Sequence, residues 1–251
     1  KLLDFLEDSK EFKHILTHDK EKNVTKSSPM PYTTSSLQQA SNNNMHISPK
    51  ETMALAQKLY EGGYITYMRT DSKVYSEEFV NKVEDYIIRN YNDEFINKNI
   101  NNLIQKSSNE KNEEKIKETK TKKSSKKEKE KEKDNLAQEA HEAIRPTNIS
   151  ITCIPDDEDV YNSKHRRLYK LIWKNTLESL MSDAIFKQLT VKISAPNDLY
   201  YKYIAEDNIF PGWKIVEGIE NDKFYNYLKN IVSNLIIYYK KILSKQTLKD
   251  L

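Results

Sequence analysis

The sequence is poor in residues that crosslink or bend a chain. Its 251 residues include one cysteine, Cys153, four glycines and seven prolines. A single cysteine excludes an internal disulfide and any zinc site built from several cysteines. This cysteine usage fits a reducing compartment.

Long apolar runs are also absent. The longest, such as residues 235–239, are far shorter than the ~20 residues of a membrane-spanning helix. Residues 1–9 form a charged amphipathic stretch, which is not the pattern of a signal peptide. The sequence therefore predicts a soluble chain with no membrane partner. Because it lacks an initial Met and has no recognisable ending at Leu251, we expect a fragment of a longer polypeptide.

Charge is concentrated in one stretch. Residues 106–134 contain 12 Lys against seven Glu and one Asp, a local net charge of +4, whereas the whole chain carries +3. The remainder is therefore nearly neutral, and bulk charge does not indicate nucleic-acid binding. Residues 97–135 have few apolar side chains to offset the entropy of ordering, which predicts a disordered Lys/Glu-rich insertion. A transient Lys/Glu helix is the alternative.

Helix signals dominate the first half of the chain. Ser48, Pro49 and Glu51 form a capping pattern that predicts a helix start. Gly62 and Gly63 predict its end, because glycine accepts a left-handed backbone. Further helices are predicted at residues 1–9, after Thr33, after Ser76, and over residues 136–143 and 164–181.

Strand signals lie in three places. Residues 64–68 are aromatic and β-branched and predict a short strand. Alternating apolar residues predict a hairpin with strands 185–193 and 199–205. Residues 213–216 predict a third short strand, and residues 11–25 predict a strand and a turn. The fold class is therefore α+β.

Tyr67 is a candidate nucleophile on the strand predicted over residues 64–68. On a strand, side chains two apart share a face, so Arg69 points the same way. A guanidinium beside a phenol suits attack on a phosphodiester, because it binds phosphate oxygens and favours the phenolate. Thr70 and Asp71 are polar groups close to the same point. The chain has 16 Tyr, so an ordinary tyrosine at the edge of a core is the alternative.

A second polar group lies at residues 139–146, which read EAHEAIRP. On a helix, His141 and Arg145 are one turn apart and share a face, where an imidazolium and a guanidinium can bind phosphate. An ordinary surface helix would have the same pattern. No pair among the five His has the spacing of zinc ligands, so we expect no metal role for His141.

Both groups resemble the signatures of a known family. Residues 65–72, ITYMRTDS, are similar to the active-site signature of type IA DNA topoisomerases, and residues 140–147, AHEAIRPT, to their second signature. Met68, where the topoisomerase III branch typically has Pro, points to the bacterial topoisomerase I branch. Similarity extends over about residues 1–218 apart from the insertion, through the segments 31–40, 56–61 and 168–173 and through Gly212-Trp213.

The resemblance implies a transesterification on single-stranded DNA. Tyr67 would form a 5′-phosphotyrosyl link, with strand passage and religation relaxing negatively supercoiled DNA without ATP. Arg69 would steady the scissile phosphate, and His141 would contact the DNA backbone beside it. Thr70, Asp71 and Arg145 would support these groups.

The resemblance also implies an architecture. Residues 33–182 would form a helical, winged-helix-like domain with the catalytic tyrosine, carrying the 97–135 insertion. Residues 1–32 and 183–220 would belong to the β arch of a toroid. Residues 219–251 match nothing, and residues 221–251 are expected to form a helical or disordered tail. A monomer is expected.

In the family, a TOPRIM domain supplies acidic residues that bind Mg²⁺, and this chain has no such segment. We therefore expect no metal site here and no activity from the chain alone. The alternative function is a non-catalytic module that binds single-stranded nucleic acid. The insertion either adds salt-sensitive DNA affinity or is a tolerated expansion typical of AT-rich protist genomes. The compartment would then be a protist nucleus or a bacterial-type organelle.

Overall fold

The computed structural model describes residues 2–105, 142–155, 160–219 and 222–238. By their contacts these residues form two compact units. One consists of residues 2–26, 185–211 and the described residues from 219 onward, and the other of the described residues of 27–184 and 212–218.

The first unit is built on an antiparallel sheet. Its elements are α1 (Leu2–Glu11), β1 (His14–His18), β2 (Lys22–Lys26), β3 (Ala184–Ser194), β4 (Tyr200–Phe210), α6 (Tyr225–Lys229) and β5 (Leu235–Ile237). The strand order is β2-β3-β1-β5, and β4 also pairs with β3. Leu16, Leu189, Val191, Ala205 and Tyr225 form the core on one face of this sheet.

A buried histidine fastens α1 to the sheet. His14 Nδ1 lies 2.7 Å from the Ser194 carbonyl oxygen, at the end of β3. Its Nε2 lies 2.9 Å from the Ser9 carbonyl oxygen in α1. One imidazole ring therefore bridges backbone groups that are far apart in sequence, which orients the helix against the sheet.

The second unit is mainly helical. It contains α2 (Thr34–Met45), α3 (Pro49–Glu61), α4 (Glu77–Asn90) and α5 (Ser163–Ser179), with short 3-10 helices at Asp93–Phe95, Ile100–Leu103 and Gly212–Val216. Helix α3 packs against both α2 and α5. Leu37, Ala56, Leu59, Leu168 and Ile172 are fully or almost fully buried where these helices lie in the core. None of the helices in the described part of the chain has the length and apolar composition needed to cross a bilayer.

The predicted helix ends are largely confirmed. Thr33 caps α2, accepting from the Ser36 amide at 3.3 Å and donating its own amide to Ser36 Oγ at 2.9 Å. Ser48 caps α3 by accepting from the Glu51 amide at 3.2 Å. Gly63 follows α3 with φ +73°, the left-handed conformation expected of a glycine there. The hairpin of β3 and β4 is confirmed as well.

Two predicted strands and the end of one predicted helix are wrong. Residues 64–68 form no strand, only an isolated bridge between Ile65 and Pro146. The facing residues 143–147 also form only isolated bridges, so no ladder of hydrogen bonds is present. Residues 213–216 lie in the 3-10 helix Gly212–Val216 instead of a strand. Residues 142–143 are not helical, so the helix predicted over residues 136–143 does not reach its expected end; residues 136–141 lie outside the described part.

The predicted first residue of the disordered insertion, residue 97, is too early in the sequence. Residues 97–105 are ordered into a turn and a 3-10 helix, because the side chains of Ile100 and Leu103 are buried. The rest of the predicted disordered stretch, residues 106–135, lies outside the described residues. The residues on either side are bonded to neighbouring positions: the Gln105 amide donates to Tyr75 O and the Ala143 amide to Val74 O, both at 2.8 Å.

The predicted tail is also partly wrong. Residues 235–237 form β5, which pairs with β1 in the register Leu16–Leu235. The preceding helix α6 contributes Tyr225 to the core of the sheet. A helical or disordered tail therefore does not describe residues 222–238. Residues 239–251 lie outside the described part.

A buried acid lies on α5 of the second unit. Glu178 is 5% exposed, and burial raises the pKa of its carboxyl to about 7. Lys174 Nζ lies 3.8 Å from Glu178 but only 2.7 Å from Glu217. The more exposed carboxylate therefore has the closer contact with the lysine, and the buried one is left in a poorly solvated position.

The backbone conformation and close packing at Gly212 predict that a side chain at this position destabilises the fold. It has φ +49°, and a Cβ at this position would overlap the Asp183 carbonyl. We expect Gly212→Ala to lower the free energy of unfolding by about 2–4 kcal/mol, from left-handed strain plus the clash. Gly218, with φ +95° and no atom within 4 Å of a Cβ, is the control. In urea unfolding, equal losses for Gly212→Ala and Gly218→Ala would contradict the clash.

Glu178 generates a prediction about pH. Its pKa is raised in the folded chain, so the folded state holds its proton over the range from about pH 4.5 to 7 where the unfolded chain has released it. Stability should therefore fall as pH rises through this range, by up to about 3 kcal/mol, and level off above it. Glu178→Gln should remove this part of the slope. Urea unfolding of both proteins at pH 5, 6, 7 and 8 measures it, and parallel profiles would refute the assignment.

Candidate DNA-cleavage site

The candidate nucleophile lies on an irregular segment after α3. Ile65 and Met68 are each 1% exposed and anchor the segment in the helical unit, whereas Tyr67 is 40% exposed. Arg69 is exposed, Thr70 is buried and Asp71 is exposed. Outward and inward side chains therefore alternate as they would on a strand, although no strand is present. Tyr67 and Arg69 both reach solvent.

An aromatic neighbour borders the Tyr67 ring. The ring of Tyr60, near the end of α3, lies 5.3 Å from the Tyr67 ring at an interplanar angle of 66°. This edge-to-face arrangement is favourable for two aromatic rings. Tyr60 thus restricts the directions in which the Tyr67 ring can turn.

The tyrosine segment, residues 64–71, is hydrogen-bonded to residues 143–147, which follow His141 in sequence. Thr66 Oγ1 donates to Ala143 O at 2.9 Å and accepts from the Arg145 amide at 3.0 Å. The Thr66 amide donates to Arg145 O at 2.9 Å, and the Thr147 amide to Tyr64 O at 3.0 Å. Two motifs more than 70 residues apart in sequence are therefore in direct contact. His141 itself lies outside the described residues.

Arg145 makes internal contacts. Its guanidinium carbon lies 3.9 Å from the centre of the Phe79 ring, and its Nε donates to the carboxylate of Glu142. Its Nη1 donates to Pro146 O at 3.1 Å. The side chain is only 13% exposed. These contacts hold residues 142–147 against α4. The Arg145 side chain therefore lies in a position that supports this packing.

A cavity of about 530 Å³ adjoins the tyrosine segment. Its lining combines the start of α2 with the residues after Tyr67: Thr33, Thr34, Ser35, Gln38, Arg69, Thr70 and Asp71. The N-terminus of α2 carries the positive end of a helix dipole, and Arg69 adds a full positive charge. Together they favour an anionic group, with Asp71 as the opposing charge.

Other tyrosines of this unit have a different environment. Tyr75 is fully buried, with its hydroxyl 3.0 Å from Ser179 Oγ, and burial raises its pKa to about 12. Burial likewise raises the pKa of Tyr32 to about 12 and that of Tyr169. A buried phenol with a raised pKa neither reaches a DNA strand nor ionises readily. The exposure of Tyr67 separates it from these residues.

Metal ligands do not converge in the described residues. No group of three or more His, Cys, Asp or Glu side chains there is arranged to hold a metal ion. Asp71 is the acidic residue of the cavity lining, and it lies beside Arg69. This donor set does not fit Mg²⁺, which prefers several carboxylate and water oxygens.

Sequence reasoning assigned no role to Thr66, although its hydroxyl joins the two motifs. Threonine in an aromatic and β-branched run is read as a strand residue. The bonded partners lie 77 and 79 positions away. Only the three-dimensional arrangement therefore reveals its contribution.

Comparison with known proteins gives consistent matches. A family model described as DNA topoisomerase matches residues 2–248. The chain is 36% identical over 245 residues to DNA topoisomerase 1 of Buchnera aphidicola subsp. Schizaphis graminum, covering 96% of this chain and 24% of that protein. It is 33% identical over 236 residues to DNA topoisomerase 1 type prokaryotic of Acanthamoeba polyphaga mimivirus, covering 94% and 23%.

A solved structure is also similar. Full-length topoisomerase I from Thermotoga maritima matches with a TM-score of 0.59 and 25% identity, covering 88% of this chain and 33% of that one. The chain thus spans about a quarter of the two curated relatives and a third of the solved structure. Since the family match continues to residue 248, the expectation that residues 219–251 match nothing is wrong.

A substitution of Arg145 distinguishes a role in packing from a role in direct DNA contact. We expect Arg145→Lys to lower the free energy of unfolding by about 1–2 kcal/mol, because lysine cannot stack flat on Phe79 while pairing with Glu142. Arg89→Lys, at an exposed position on α4, should change it by less than about 0.5 kcal/mol. Urea unfolding and binding of a fluorescent single-stranded oligonucleotide measure both effects. Unchanged stability with weakened DNA binding would contradict the supporting position.

Proposed function

Since the chain belongs to the type IA DNA topoisomerase family, we propose that it carries the tyrosine with which such an enzyme cleaves one DNA strand. The observation that supports Tyr67 is its exposure beside Arg69, on a segment bonded to the residues after His141. We further propose that the helical unit is the winged-helix-like tyrosine domain and that the sheet unit belongs to the arch of the toroid. The complete enzyme would relax negatively supercoiled DNA.

The proposed reaction is an exchange of phosphodiester bonds. The Tyr67 phenol oxygen attacks phosphorus, the bond from phosphorus to the 3′ oxygen breaks, and the phenol proton leaves as the 3′ oxygen becomes a hydroxyl. The 5′ phosphate is then linked to Tyr67. Because the new phosphodiester stores the energy of the old one, the 3′ hydroxyl can reverse the reaction after strand passage. No ATP is required.

Arg69 has the role of holding the scissile phosphate. Its guanidinium can donate two parallel hydrogen bonds to phosphate oxygens, and its charge offsets the negative charge of the phosphate. The start of α2 lines the same cavity, so the positive end of its helix dipole adds to the attraction for an anion. The guanidinium and the dipole stabilise the charge that develops on the phosphoryl oxygens during attack.

His141 has the role of a phosphate contact beside the cleaved bond. The residues that follow it are fixed to Thr66, the neighbour of Tyr67 in sequence. Asp71 and Thr70 border the cavity and orient Arg69 and its surroundings. Arg145 supports this arrangement through its contacts with Phe79 and Glu142.

The proposed enzyme needs more than these residues. By resemblance to the family, a TOPRIM domain would supply the Mg²⁺ ligands, and the described residues offer no such donor set. Bound Mg²⁺ would neutralise charge on the phosphate. We propose that the chain by itself binds single-stranded DNA without cleaving it, and that the complete enzyme acts as a monomer.

Tyr67→Phe tests the proposed nucleophile. The full-length protein containing these residues is incubated with Mg²⁺ and a single-stranded oligonucleotide labelled at either end. The wild-type protein should become covalently attached to the 3′-labelled fragment and should release the 5′-labelled one. Tyr67→Phe should form no adduct, because it lacks the attacking oxygen. Tyr227→Phe, which alters an exposed tyrosine of the sheet unit, should retain it.

Each other outcome excludes part of the proposal. An adduct that persists in Tyr67→Phe assigns the nucleophile to another residue. A protein attached to the 5′-labelled fragment has the opposite polarity. DNA binding without any adduct in the wild type would identify a non-catalytic binding module.

A further inference from the structure

Thr34 lies at the first position of α2, and its side chain is turned to the backbone of the tyrosine segment. Its Oγ1 lies 2.7 Å from Met68 O, to which it donates. The same oxygen accepts from the Thr70 amide at 2.9 Å. The Thr34 amide donates to Thr70 O, also at 2.9 Å. Thr34 therefore binds the backbone on both sides of Arg69.

These bonds use both the donor proton and the acceptor function of the Thr34 hydroxyl. A threonine hydroxyl has one proton to donate, and the 2.7 Å contact with Met68 O is shorter than its 3.1 Å contact with Thr70 O. Its acceptor function is used by the Thr70 amide. The hydroxyl is thus committed to the backbone, which argues against a direct DNA contact for it.

The helix to which Thr34 belongs is firmly placed. Thr33 and Ser36 form a reciprocal capping box at its start. Leu37 is completely buried, and Ser41 and Met45 are buried further along the same helix. Position 34 is therefore part of a rigid element, and the backbone groups bonded to Thr34 are held in place by that element.

Met68 and Thr70, the residues bonded to Thr34, fix the backbone position of Arg69 between them. Met68 is 1% exposed and Thr70 is 8% exposed, so both flanking side chains are held in the unit. No ladder of strand hydrogen bonds holds residues 68–70, which the structure describes as irregular. The Thr34 bonds thus replace a sheet partner and set the point from which the Arg69 side chain projects.

We propose that Thr34 is a positioning residue that sets the placement of Arg69, and through the continuous segment that of Tyr67, for the cleavage step. This inference rests on the proposed function for its catalytic consequence. It requires no contact between Thr34 and DNA. A misplacement of about 1 Å at a reacting group lowers a rate by roughly 100-fold, so small shifts of this segment are sufficient.

Thr34→Val and Thr34→Ser form the test pair. Valine has nearly the shape of threonine but no hydroxyl, so it leaves Met68 O and the Thr70 amide without this partner. Serine keeps the hydroxyl and loses only the methyl group. Ser48→Ala removes a hydroxyl cap from α3 and controls for a general loss of helix stability in the same unit.

The first measurement is hydrogen exchange of the Thr70 amide by NMR in the 251-residue chain, which is independent of catalysis. Thr34→Val should accelerate exchange at Thr70 by at least about tenfold. Thr34→Ser and Ser48→Ala should exchange at nearly the wild-type rate. Unchanged exchange in Thr34→Val would overturn the proposal.

The second measurement is single-turnover cleavage of saturating single-stranded DNA by the full-length protein. Thr34→Val should lower the rate roughly 10- to 100-fold, with DNA affinity changed by less than about threefold, and Thr34→Ser should restore the rate. A normal rate in Thr34→Val, or an equal loss in Ser48→Ala, overturns the positioning role. A wild-type protein that forms no adduct refutes the proposed function instead, while the exchange result still decides whether Thr34 fixes the segment.

Discussion

Threonine hydroxyls satisfy the backbone of a segment that has neither a helix nor a sheet to do so. Peptide groups taken out of water need hydrogen-bond partners. Around Tyr67 these come from Thr66, bonded to Ala143 O and the Arg145 amide, and from Thr34, bonded to Met68 O and the Thr70 amide. An irregular path becomes stable enough to present an exposed phenol and an exposed guanidinium. The proposed chemistry depends on this support.

Local rules predicted the helices well and the irregular segments poorly. The caps at Thr33 and Ser48 follow from side chains adjacent to the amides they bind. Residues 64–68 have a strand-like composition, but a strand also needs a partner of matching regularity, and the partner here lies about 80 residues away. At residues 97–105 the prediction weighed overall polarity and underestimated two buried side chains, Ile100 and Leu103.

The candidate site was predictable where its chemistry is local in sequence. Tyr67 and Arg69 are two positions apart, and both are exposed on the same segment, although the strand argument that joined them was wrong. The positions of Thr34 and Arg145 could not be read in this way. Arg145 belongs to a phosphate-binding pattern in sequence, yet its guanidinium stacks on Phe79 of α4. That contact depends on how α4 packs, which no local spacing encodes.

Gln105 and Ala143 are far apart in sequence, yet their amides donate to the adjacent residues Tyr75 and Val74. One short stretch of backbone therefore fixes two distant parts of the chain. Ala143 is held at both of its backbone polar groups, since its carbonyl oxygen accepts from Thr66 Oγ1. A displacement of Val74 and Tyr75 would consequently be transmitted through Ala143 to the neighbour of Tyr67 in sequence.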